Sequence, residues 1–126
     1  MKGKKFYIAE RSDLGDAVVW VVKRGDKTPL PLEPSLKIRN HSPTGFEWGY
    51  GGSGPAQLAL AILLDCTGCP DVALSYYLLF KAEEIAKAPL QGFQISAQEI
   101  VAWMDGVEPW RWAQSDLDRM REWGRK

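Results

Sequence analysis

One stretch of the chain limits its possible folds more than any other. Residues 55–65, with the sequence PAQLALAILLD, are apolar on almost every side of a helix. Such a helix has no polar face to turn toward solvent, so it belongs at the centre of a fold. We therefore predict a buried central helix. A chain of 126 residues is the right size for one domain around it, which excludes two separate catalytic domains.

The part of the chain before this helix has the pattern of strands. Residues 5–9 and 17–23 are rich in β-branched and aromatic side chains, and turn residues lie between them, which predicts a hairpin. A proline-containing stretch then fits an edge strand or an irregular connection before residues 36–39. A further short strand is predicted at residues 46–48.

The part after residue 55 has the pattern of helices. The sequence pattern of residues 71–87 predicts a second helix. Ser96 and Glu99 have the spacing of a capping box at the start of a third helix, and Ile95 and Ile100 stand at the positions of a hydrophobic staple. Because helices follow strands along the chain, we predict the α+β class, with a small antiparallel sheet in the N-terminal half packed against three to four C-terminal helices.

We predict one domain over residues 1–126, strand-rich to about residue 50 and helical over residues 55–104. A C-terminal extension covers residues 107–126, with a last short helix near residues 115–123. No stretch is apolar over the length of a membrane span, and the first residues lack the apolar run of a secretory signal. We expect a cytoplasmic protein that does not associate with membranes.

Charge and cysteine content argue against several classes of function. Sixteen basic and sixteen acidic residues balance, which argues against extended nucleic-acid binding. Residues 1–45 nevertheless hold nine basic and five acidic side chains, so this part could face an anion. Cys66 and Cys69 form a lone C-x-x-C between two predicted helices, and with a single histidine they cannot complete a four-ligand Cys/His site. We predict no metal and no cofactor.

Residues 40–57, NHSPTGFEWGYGGSGPAQ, hold the only histidine, three aromatic residues and five glycines directly before the central helix. They include the G-x-G-x-x-G pattern of dinucleotide sites, but such a site needs a strand after the helix, where this chain starts another helix. Glycines there would still let backbone N–H groups converge at the positive end of a helix, where an anion is stabilised. Alternatively, the glycines only turn the chain, with Ser53 or Gly54 as N-cap.

We predict that this segment holds a small anionic or nucleotide-like ligand, with Trp48 or Tyr50 stacking against a flat group. The candidate ligand-binding residues are His41, Ser42, Thr44, Glu47, Trp48, Tyr50, Gly51, Gly52, Ser53 and Gln57. We predict no catalytic residue.

The stretch NHSPTGFEWGYGGSGPAQLALAIL, beginning at Asn40, resembles a small family from bacterial chromosomes, phages and plasmids that is known as a domain of unknown function. Phe80, Lys81 and residues 100–103 resemble it too, and the similarity covers about residues 28–104. The resemblance implies a mobile-element accessory protein, and if such a protein captures a ligand, it could counteract host defence. It supplies no substrate and no catalytic residue.

Three functions fit these features. The favoured one is a non-enzymatic binding module with a phosphate-bearing or nucleotide-like ligand at residues 41–57, which a polar cavity beside Gly54 would support. The second is a protein-interaction inhibitor that uses charged surfaces and the loop from Trp110 to Trp112. The third is a small hydrolase using His41 and Glu47, which would require contact between these two side chains.

Overall fold

Two strands near the start of the chain form the middle of the sheet. The computed structural model describes residues 4–107, and within them β1 (Lys5–Arg11) pairs antiparallel with β2 (Ala17–Lys23). Tyr7 lies opposite Val21, and both are buried, so alternate side chains of each strand face the core. The predicted hairpin is confirmed.

Two further strands flank this pair. Strand β3 (Asp26–Pro29) lies beside β2, and β4 (Gly92–Ser96) lies beside β1, which gives the antiparallel order β3-β2-β1-β4. Strand β4 falls within residues 55–104, which the sequence analysis assigns to helices, so the prediction is wrong there. Five residues are too few to reveal a period in the sequence, and their partner β1 lies near the other end of the chain.

Gly92 lets the start of β4 come close to β1. Its φ is +150°, and a Cβ atom at this position would collide with the carbonyl oxygen of Ala9. Glycine alone tolerates both this φ and the close approach. A side chain at residue 92 would therefore push β4 away from its only neighbour among the described strands.

The described helices are α1 (Glu33–Ile38), α2 (Ser53–Thr67), α3 (Pro70–Phe80) and α4 (Ala97–Gly106). Residues 54–63 of α2 are all buried, which confirms the predicted central helix. The buried side chains of the sheet, α2 and α3 form one hydrophobic cluster. The α+β class, with a small antiparallel sheet and packed helices, is confirmed.

Residues 46–48 form no strand, contrary to the prediction. Their composition favours a strand, but side-chain contacts hold this segment instead: Glu47 pairs with Arg11, and the Trp48 indole donates to the Leu90 carbonyl oxygen. The proline-containing stretch before residue 39 also differs, because it forms helix α1. Pro34 lies in the first turn of that helix, where a missing N–H leaves no hydrogen bond unmade.

The helix predicted over residues 71–87 is interrupted. Helix α3 ends at Phe80 and a π-helical turn (Lys81–Ile85) follows, closed by a hydrogen bond from the Ala86 N–H to the Lys81 carbonyl oxygen at 2.8 Å. The side chain of Ile85 is fully buried, and its carbonyl oxygen accepts from the Gly49 N–H at 3.0 Å. The turn is thus tied to a distant loop, which helix periodicity cannot reveal.

Helix α4 begins with the predicted capping box. Ser96 Oγ accepts from the Glu99 N–H at 2.9 Å, and Glu99 Oε1 accepts from the Ser96 N–H at 3.0 Å. Replacing Ser96 by alanine should lower the free energy of unfolding by about 1 kcal/mol, because one amide of the first turn loses its acceptor. Urea titration followed by circular dichroism measures the loss, with Ser96→Thr as the control that keeps the hydroxyl. Equal midpoints for the alanine variant and the parent would contradict it.

The helix predicted near residues 115–123 and the loop from Trp110 to Trp112 lie outside the described residues. Among residues 4–107, no helix combines the length and the apolar character that a bilayer crossing requires.

Candidate functional site

Gln57, near the start of α2, holds the loop that precedes the helix. Its side chain is fully buried. Its Oε1 accepts from the backbone N–H groups of His41 at 2.7 Å and Ser42 at 2.9 Å, while its Nε2 donates to Ser35 Oγ at 2.8 Å and to the Arg39 carbonyl oxygen at 3.1 Å. All four hydrogen-bonding positions of the amide are used. The structure thus places Gln57 beneath the loop that carries His41 and Ser42.

The glycine-rich turn enters α2 without a side-chain cap. Gly52 is the N-cap residue, so the prediction of Ser53 or Gly54 at this position is wrong. Gly54 is buried, and a Cβ atom there would lie 2.7 Å from the Cβ of Glu47. The absence of a side chain at this position allows the helix to pack closely against the loop. Gly51 and Ser53 are exposed to solvent.

The two aromatic residues predicted to stack against a ligand lie in different environments. Trp48 is fully buried, and its indole N–H donates to the Leu90 carbonyl oxygen at 3.1 Å. The Arg11 guanidinium lies 4.2 Å from the centre of the indole, and Phe93 packs edge-on against it at 5.9 Å. Tyr50 is 49% exposed. Of the two, Tyr50 is the one that a ligand in solvent can reach.

His41 and Glu47 have separate partners. The carboxylate of Glu47 forms an ion pair with Arg11 at 2.8 Å, and Arg11 Nε also donates to the Leu90 carbonyl oxygen at 3.0 Å. His41 Nε2 lies 2.8 Å from the hydroxyl of Tyr77, a fully buried residue of α3. Among the described residues, the contact between His41 and Glu47 that the hydrolase interpretation requires is not formed.

The imidazole of His41 lies in a positive electrostatic environment. Partial burial lowers its pKa below the ordinary value of 6.5, and the charges of Arg39 and Lys81 lower the pKa further. Burial raises the pKa of Tyr77 to about 12, against the opposing effect of Arg39. At pH 7, His41 is therefore neutral, and both charged groups that act on its ring are cations.

We call Arg39, His41 and Lys81 the basic cluster. Arg39 follows the last turn of α1, His41 lies in the next loop, and Lys81 opens the π-helical turn. Lys81 forms no ion pair with any residue between 4 and 107. Within the same range, His41 Nδ1 has no hydrogen-bond partner. The cluster can therefore donate hydrogen bonds to an anion.

An open hollow of about 390 Å³ lies between the start of β2 and the loop before α2. Three predicted site residues line it, Ser42, Thr44 and Glu47, and so does Asp16 at the end of the β1–β2 turn. The hollow is polar and adjoins the start of α2, since Glu47 packs against Gly54. Its two carboxylates make it less suited to an anion than the basic cluster.

The structure separates the predicted site residues into groups. Ser42, Thr44 and Glu47 share the hollow, His41 belongs to the basic cluster, and Trp48 and Gln57 are buried. Sequence reasoning did not single out Arg11, Arg39, Tyr77 or Lys81 as site residues. The run of basic residues before position 45 was a signal for Arg39, whereas nothing in the sequence linked Tyr77 to His41.

Both cysteines are free thiols, and both are half-buried. Burial raises the pKa of Cys66, which favours the unreactive thiol over the thiolate. No group of three metal-binding side chains comes together among the described residues. Cys66 lies in the last turn of α2, and Cys69 is the residue directly before α3.

No curated protein and no solved structure matches this sequence. A family model, described as a family of unknown function, matches residues 7–106, from β1 to the end of α4. The resemblance to a domain of unknown function is thereby confirmed. Because the match spans most of its length, the chain belongs to the family of unknown function DUF6166.

Proposed function

We propose that this protein is a small non-enzymatic binding module that holds a phosphate-bearing ligand at the basic cluster. One observation carries the proposal: a half-buried neutral imidazole, hydrogen-bonded to a buried tyrosine, has two cations as its charged neighbours. Lys81 forms no ion pair with any residue between 4 and 107, so its charge can stabilise an anion that binds beside His41. Phosphate can accept from the Lys81 ammonium group and from His41 Nδ1 together.

The loop geometry supports a prepared site. Gln57 holds the backbone of His41 from below, and the Tyr77 hydroxyl holds the ring. The imidazole is thus positioned before a ligand arrives, which reduces the entropy that binding costs. If the ligand is a nucleotide, Tyr50 is the exposed aromatic residue of the segment that could stack against its base.

Binding of phosphate should raise the pKa of His41, because a nearby negative charge stabilises the imidazolium. The free protein has a lowered His41 pKa, so binding should take up a proton between the free and the bound pKa of this residue, and the affinity for a ligand of constant charge should decrease as the pH rises through that interval. Proton NMR of the imidazole can follow this directly, since the chain has a single histidine. A His41 pKa that inorganic phosphate and AMP both leave unchanged would contradict the proposal.

Removing one cation should weaken binding selectively. We expect Lys81→Gln to reduce phosphate affinity about tenfold, the equivalent of one charge-assisted hydrogen bond. Lys87→Gln is the matched control, because it removes the same charge from an exposed residue beyond the π-helical turn. Calorimetric titration with phosphate and with mono-, di- and cyclic nucleotides measures both variants. Equal losses in the two would indicate general electrostatic attraction rather than a site.

The other predicted roles have less support. A hydrolase would need His41 and Glu47 together, and each has another partner. An inhibitor acting through the loop from Trp110 to Trp112 depends on residues outside the described range. Counteraction of host defence through ligand capture stays a prediction that depends on the binding-module function.

A further inference from the structure

The two edges of the sheet differ in how they are protected from pairing with another strand. Strand β3 forms one edge and carries Lys27 and Pro29, two residue types that oppose strand addition. Strand β4 forms the other edge of the described sheet, and its sequence GFQIS contains neither charge nor proline. The β4 edge therefore lacks the protection that the β3 edge has.

Hydrogen bonds at both ends of β4 show which amides face outward. The Gly92 N–H donates to the Pro89 carbonyl oxygen at 3.1 Å, and the Ser96 N–H donates to Glu99 Oε1 at 3.0 Å, so neither points toward β1. Because backbone direction alternates along a strand, the N–H and carbonyl of Gln94 also point away from β1. Among the described residues, no hydrogen bond outside the sheet involves Gln94.

A groove of about 190 Å³ runs beside this edge. Its apolar lining includes Ile85 and Ala88 from the helical layer and Phe93 and Ile95 from β4. Two exposed glutamates, Glu84 and Glu99, lie at its rim. Only one carboxylate oxygen of Glu99 is used by the capping box, and Glu84 forms no ion pair within residues 4–107.

We propose that the outer edge of β4 binds an extended basic peptide segment of a partner protein by strand addition. The backbone of the peptide would pair with Gln94, and alternate side chains of the added strand would point into the groove. A lysine or arginine fits this groove, because its aliphatic stem can lie on Phe93 and Ala88 while its charged end reaches Glu84 or Glu99. This surface is separate from the basic cluster, and its partner has the opposite charge.

The test uses a short fluorescent peptide that alternates lysine and valine, titrated with the full-length protein and followed by anisotropy. Its control is the same peptide with N-methyl groups on the amides that would face β4, which keeps charge and composition but cannot form the backbone hydrogen bonds. We expect the methylated peptide to bind at least tenfold more weakly. No binding of the parent peptide, or equal affinities for the two, would overturn the proposal.

Variants of the protein test the backbone pairing and the charge recognition separately. Gln94→Pro removes the outward N–H, and Gln94→Thr changes the side chain but keeps that N–H. Glu84→Lys reverses a charge at the rim of the groove, and Asp13→Lys makes the same reversal in the exposed β1–β2 turn. We expect about tenfold weaker binding for Gln94→Pro and Glu84→Lys and parental binding for the other two. Equal effects of Glu84→Lys and Asp13→Lys would overturn the proposed location.

If Gln94→Pro does not fold, the methylated peptide still tests the backbone pairing with the parent protein. A second readout is the amide NMR spectrum of the labelled protein during titration. Strand addition should shift the Gln94 amide signal strongly, because that N–H acquires an acceptor. Shifts confined to the basic cluster, with none at Gln94, would also overturn the proposal.

Discussion

Replacing Trp48 by alanine should lower the free energy of unfolding by about 4 kcal/mol, the range found when a large buried aromatic side chain is removed. The side chain is fully buried, it packs against Phe93, and its N–H is bonded to the Leu90 carbonyl oxygen. The variant also leaves Arg11 without the ring that it lies over. Urea titration followed by circular dichroism avoids interference from the other tryptophans.

Trp48→Phe is the matched control for this change. It keeps an aromatic ring in the core but loses the indole N–H and part of the packing, so we expect a smaller loss of about 2 kcal/mol. The comparison also tests the earlier hypothesis that Trp48 stacks against a ligand. A stable Trp48→Ala variant that loses only ligand binding would place the ring at the ligand and contradict the buried packing.

The second large effect concerns Gln57. Leucine has about the volume of glutamine. The change Gln57→Leu nevertheless removes the hydrogen bonds that Gln57 forms with the amides of His41 and Ser42 and with the Arg39 carbonyl oxygen. We expect a loss of about 3 kcal/mol, because buried polar groups without partners cost more than the hydrogen bonds themselves contribute. Phosphate affinity should fall as well, since Gln57 positions the backbone of His41. Denaturant titration and calorimetry measure the two effects.

Gln57→Glu separates the two sides of this amide. The carboxylate keeps the acceptor for the His41 and Ser42 amides but no longer donates to Ser35 and Arg39. Burial raises the pKa of such a carboxyl, and its protonated form can donate again. The deficit in stability relative to the parent should therefore shrink as the pH falls from 7 to 5. A deficit that is independent of pH would show that the donors to Ser35 and Arg39 contribute little.

Two residues belong both to the core and to the candidate site. Gln57 belongs to the central helix by its burial and to the basic cluster by its hydrogen bonds to the loop. Tyr77 likewise lies in the core and holds the His41 ring from α3. The proposed binding surface is thus an extension of core packing, and variants of these two residues should change stability and affinity together. Lys81 lies outside the core, so its variant should change affinity alone.

Local patterns were enough to predict several elements. The central helix followed from its uninterrupted apolar composition, the hairpin from β-branched residues on either side of a turn, and the capping box from the spacing of Ser96 and Glu99. In each case the deciding interaction lies within a few residues along the chain or depends on composition alone. The glycine-rich segment was also recognisable as unusual, and its histidine was correctly placed in the loop before α2.

Tertiary structure alone decided the rest. Residues 92–96 form a strand by pairing with β1, which lies far away in the sequence, whereas residues 46–48 pair with no strand among the described residues. A hydrogen bond links the π-helical turn to the distant Gly49, and the basic cluster depends on α3 and the π-helical turn bringing Tyr77 and Lys81 to His41. These contacts join residues far apart in the chain, and their free energy comes from burial and charge in the folded state. A local sequence pattern shows neither which residues will be buried together nor which charges will lie close to each other.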